Sequence, residues 1–157
     1  MEITVPSDGL SEIKGAAGVE GAERRSLYLF ARRVYPLKFL EIFDAPLMAV
    51  NSTQRTSSAN VLQSLALLHS AFLFDQAERM AKRVQKSASA GDRAACIDTA
   101  FTLALSRPPT AEEQKLAAAF LDRQQAAHGG KGPDTETKAL ADLCHMLLSS
   151  NGFIHVD

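Results

Sequence analysis

A chain of 157 residues with 46% hydrophobic and 22% charged residues reads as one globular domain and excludes intrinsic disorder. Its net charge of −1 excludes a bulk electrostatic pull toward nucleic acid or anionic lipid, so neither is an expected partner. No apolar run approaches the roughly 18 residues of a membrane span, and the opening MEITVPSDGL lacks the basic and apolar length of a secretory leader.

Residues 1–22 are weakly patterned. Ile3 and Val5 alternate with polar neighbours, as in a short edge strand, before Gly9, Gly15, Gly18 and Gly21 turn the pattern to loop. No strand leads into these glycines and no GK[ST] closes them, so they make no phosphate cradle. From residue 23 to 157 the pattern is that of a single helical domain. Leu27-Tyr28-Leu29-Phe30 is rich in strand formers and reads as extended, flanked by Arg24, Arg25, Arg32 and Arg33. Pro36 suits the start of a short helix over residues 37–43, and Asp44-Ala45-Pro46 stops it near Ala45.

Two helices follow, over residues 59–69 and 71–87, meeting at a tight corner with Ser70 as N-cap. Leu62, Leu65, Ala66 and Leu68 form the first apolar stripe; Leu73, Ala77, Met80 and Val84 form the second. Asp75, Glu78, Arg79, Lys82 and Arg83 make a solvated face. Gly91 breaks the chain and Asp92 caps a helix with Ile97, Ala100, Phe101, Ala104 and Leu105 inward, stopped by Ser106-Arg107-Pro108-Pro109. Thr110 and Glu113 have capping-box spacing, and Leu116, Phe120 and Leu121 are the expected buried side of the helix they open. Residues 126–134 read as a flexible linker. The last long helix spans about 135–150 with Leu140, Leu143, Cys144, Leu147 and Leu148 inward. Asn151-Gly152 then suits a left-handed cap, and Phe153–Val156 an apolar tail that packs back. The fold class is therefore mainly α: an irregular bundle of about five to six helices with at most a minor β element near the N-terminus.

Chemistry is sparse. His69, His128, His145 and His155 form no HExxH, and no histidine or cysteine pair has zinc-finger spacing. Cys144-His145 lacks the first cysteine of CxxCH, Ala141 standing in its place. Consecutive helix positions point about 100° apart, which makes Cys144 buried and His145 rim-facing rather than a thiol–imidazole dyad. Cys96 and Cys144 read as small hydrophobes; whether they are bridged stays open. No nucleophile elbow or Walker sequence occurs. No catalytic, cofactor-binding or metal-binding residue is assigned. The polar set of interest is Arg25, Asp44 and Arg55, as an ordering cluster or, alternatively, a ligand site.

Five ordered blocks, RRSLYLFARR, YPLKFLEIFDAP, QRTSSANVLQSLALLHSAFLFDQAERMAKRV, AFTLALSRPPTAEE and ALADLCHMLLSSNGFIHVD, resemble a planctomycete-associated family, the domain of unknown function fifteen-fifty-three. The resemblance runs from about Arg24 to Asp157 and covers the carboxy-terminal part of that domain, so the chain looks like a truncated member. Matched polar positions are Arg25, Asp44, Arg55, Gln63, Arg107, Asp142 and Asn151, and the resemblance thereby adds Gln63 to the cluster of Arg25, Asp44 and Arg55. Val61 departs from a usual proline, His69 from asparagine, Leu140 from tryptophan and Gly152 from glutamate. The resemblance implies an exported, cytochrome-linked multidomain setting, with haem held only in a separate upstream domain. It thereby implies neighbouring domains as partners and a docking or structural role. The alternative it leaves is part of an enzyme acting on polysaccharide whose remaining site lies upstream.

Overall fold

The computed structural model describes residues 38–45, 61–88, 92–130 and 132–154. The expected edge strand at Ile3 and Val5, the extended run at Leu27–Phe30, Arg25, Arg55 and His155 lie outside them. Among the described residues there are seven helices and no strand: α1 (Lys38–Ile42), α2 (Val61–Leu68), α3 (Ala71–Ser87), α4 (Arg93–Leu105), α5 (Ala111–Ala127), α6 (Pro133–Leu148) and α7 (Asn151–Ile154). The mainly helical reading holds. The chain divides into two compact units, residues 1–66 and 67–157.

In the first unit α1 is only 5 residues long and stops before the expected Ala45. Asp44 adopts a left-handed φ of 55°, the Ala45 amide donates to Leu40 O at 3.0 Å and the Asp44 amide to Glu41 O at 3.2 Å. These are the two bonds of a Schellman cap, so the turn at Asp44 ends the helix before Pro46 acts.

The second unit is built round α6, which touches α3, α4, α5 and α7 and packs most extensively on α3. A helix with neighbours on several sides must be apolar over most of its circumference. Ala139, Leu140, Leu143, Cys144, His145, Leu147 and Leu148 are all buried, which includes the whole expected inward set. α3 meets it with Leu73, Ala77, Ala81 and Val84. Ala77 and Ala81 carry no side chain beyond Cβ, so the helix backbones can approach closely. Met80, expected in that stripe, is only half-buried, and Ala81 takes the inner position.

Two stripes are corrected. On α2, Leu62, Leu65 and Leu68 are 50–55% exposed and the buried residues are Gln63 and Leu67. The inner face lies on the opposite side of the helix from the leucine stripe, because apolar residues occupy nearly the whole circumference and periodicity alone picks the wrong side. On α5, Leu121 is buried as expected and Phe120 is half-buried, but Leu116 is 69% exposed, and Ala117 and Gln125, one turn before and after Leu121, complete the inner face.

Local signals set the starts of α3, α4 and α5 as expected, while α5 and α6 run into the stretch 126–134 expected as a linker. Ser70 Oγ accepts the Leu73 amide at 3.2 Å, and one Asp92 carboxylate oxygen accepts the Ala94 and Ala95 amides at 2.9 and 3.2 Å. Thr110 and Glu113 form the full capping box. Ser106 takes a left-handed φ of 56° at the end of α4. α5 closes with a second Schellman cap, in which the Gly130 amide reaches Gln125 O at 2.9 Å and the Gly129 amide reaches Ala126 O at 3.3 Å. Gly129 has a φ of 104° there, a region that glycine enters without steric cost. Pro133 occupies the first turn of α6, where its missing N–H is not needed.

The C-terminus differs from expectation. Ser149 is right-handed, Asn151-Gly152 begins α7 instead of forming a left-handed cap, and the Phe153 and Ile154 amides donate to Ser150 O. α7 touches α4 and α6. Phe153 itself is 41% exposed, so the tail packs back through its backbone and Ile154 more than through its aromatic ring.

Candidate functional site

In the first unit the polar positions singled out from the sequence gather at the end of α1. Gln63 is 4% exposed, and its Nε2 donates to Ile42 O at 3.0 Å, satisfying one of the carbonyls that a helix C-terminus leaves free. Asp44 supplies the left-handed residue of the same helix end. Two of the four cluster residues therefore meet at one helix terminus. The other two, Arg25 and Arg55, lie outside the described residues.

In the second unit, polar side chains link elements and seal their ends. Arg107, just beyond α4, grips Glu113 with both terminal nitrogens, at 2.8 and 2.7 Å, while Glu113 also accepts the Thr110 amide at 2.7 Å. The guanidinium, and then the amide, hold the Glu113 carboxyl well below the usual carboxylate range, at about 2. Arg93, at the start of α4, donates to Asp122 and to the buried Gln125, which ties α4 to α5. His128 Nε2 lies 2.7 Å from Asp142 Oδ2, joining the end of α5 to the middle of α6. Gln85 Nε2 donates to Thr137 Oγ1 at 3.0 Å between α3 and α6.

His145 is the principal departure from the sequence reading. It is 8% exposed, not rim-facing, and stacks on Phe74 with ring centroids 4.1 Å apart and planes 21° from parallel. Its Nε2 lies 3.4 Å from Leu67 O. Cys144 beside it is fully buried, and burial first, then the nearby Cys96, pushes its thiol up to about 12. Cys96 is likewise raised, by burial and then by Glu136 and Asp92. Both cysteines are free thiols. The imidazole is engaged by Phe74 and the thiol is held protonated, so Cys144-His145 has neither the orientation nor the ionisation of a nucleophile–base pair.

The run ALADLCHMLL carried the signal for a buried His145, since apolar residues on nearly every side of a helix mean neighbours on nearly every side. The Arg93–Asp122–Gln125 and His128–Asp142 links carried no such signal. Their partners stand 29, 32 and 14 residues apart, and only the tertiary fold brings them together. Among the described residues, no group of three or more His, Cys, Asp or Glu side chains is placed to hold a metal ion. No helix among them is long and apolar enough to cross a membrane.

The family model described as PSD1, protein of unknown function (DUF1553), matches residues 5–121, which is 117 of the 157 positions. The match starts upstream of the RRSLYLFARR block and ends inside α5, so the ALADLCHMLL block of α6 lies beyond it. No curated protein and no solved structure matches the chain.

Proposed function

The chain belongs to the PSD1 family of proteins of unknown function (DUF1553), and from that premise we propose that it is a non-catalytic helical module docking a neighbouring domain of a larger, exported, cytochrome-linked protein. The observation that carries this reading is the outer face of α2. That helix, VLQSLALL, has no charged residue, and it exposes Val61 at 82% together with Leu62, Leu65 and Leu68 at half or more. Large apolar side chains grouped on one exposed face mark an interaction surface more often than an accident of sequence.

The size of the effect favours a tethered partner over a free one. Covering these four side chains would release on the order of 4 kcal/mol at the usual transfer coefficient. A freely diffusing partner loses about that much or more in translational and rotational freedom, whereas a domain on the same polypeptide has already lost most of it. The polar side chains add support. Gln63, Arg107 and Asp142 make bonds that hold helix ends and helix pairs.

The test compares hydrogen exchange in the isolated chain with exchange in the protein extended by its upstream coding sequence. Amides of α2 are expected to exchange more slowly in the longer protein, and Leu62→Glu with Leu65→Glu to abolish that gain while α6 protection is unchanged. Equal protection of α2 in both proteins overturns the docking reading. Turnover of a polysaccharide that is lost on replacing Asp44 would establish the enzyme alternative.

A further inference from the structure

We draw no further inference here: the strongest candidate, the apolar outer face of α2 formed by Val61, Leu62, Leu65 and Leu68, already carries the proposal above, and nothing in the structure shows what covers it.

Discussion

At the residue scale, His145 shows how magnitudes decide between two contacts made by one side chain. Its approach to Leu67 O, at 3.4 Å, is at the long end of a hydrogen bond, and that carbonyl also accepts the Ser70 amide at 3.3 Å. The stack on Phe74 is close, with the planes 21° apart, and the half-exposed phenyl ring covers the buried imidazole. Replacing His145 with Phe is therefore expected to cost about 1 kcal/mol or less, the net worth of one ordinary hydrogen bond. His145→Ala removes the ring as well and is expected to cost about 2–4 kcal/mol through the lost packing and the cavity. Urea melts of the two variants check the ordering; equal losses would assign the effect to the polar contact. Glu113 makes a second residue-level prediction. Its folded pKa of about 2 lies below the ordinary value of about 4.3, so its contribution is complete above the ordinary carboxylate range and is lost as pH falls toward 2. Arg107 stays charged throughout, and because the pair is solvent-exposed the loss is small. Glu113→Gln should flatten that part of the stability–pH curve and leave the region above pH 5 parallel to the parent.

At the element scale, helix ends were the most legible feature of the chain. Ser70, Asp92 and the Thr110–Glu113 box act where their spacing placed them, because an N-cap bond spans only two or three residues and needs no tertiary partner. C-terminal ends were less legible. Asp44 and Ser106 are non-glycine residues in left-handed geometry, while Gly152, whose type suggested that geometry, is helical. The two kinds of glycine should respond oppositely to alanine. Gly129 has open space for a Cβ but a φ of 104°, so Gly129→Ala is expected to destabilise by about 1 kcal/mol from backbone strain alone. At Gly152 the added Cβ meets Leu105 Cδ2 at 3.6 Å, an ordinary contact, so Gly152→Ala is expected to stabilise by about 0.5–1 kcal/mol through helix propensity. Thermal midpoints of the two variants should move in opposite directions. A fall for Gly152→Ala would mean that α7 does not hold its helical form in solution.

At the scale of the whole molecule, the second unit depends on α6, whose inward residues include Leu143 and Cys144 with no exposed surface. Cys144 reports on that packing. With its thiol pushed up to about 12 and sealed from solvent, it should react with a thiol reagent at pH 8 only through global opening. The half-buried Cys96 should react sooner. Labelling followed by mass spectrometry over a urea series checks this, and equal labelling of both cysteines in the native protein would show that α6 detaches locally. The amino-acid sequence by itself determined the helical class, the N-terminal caps and the inward placement of Leu140, Leu143, Cys144, Leu147 and Leu148 on α6. Each of these follows from contacts within a few turns of one helix. Only the tertiary structure decided which side of α2 and α5 faces inward, that His145 is buried against Phe74, and that Arg93 and His128 find partners on other helices. The physical reason is that a helix with apolar residues nearly all round, or with an alanine and a glutamine flanking a single leucine on its inner stripe, has no single side marked by hydrophobicity. For such a helix the inner face is set by the shape of its neighbours.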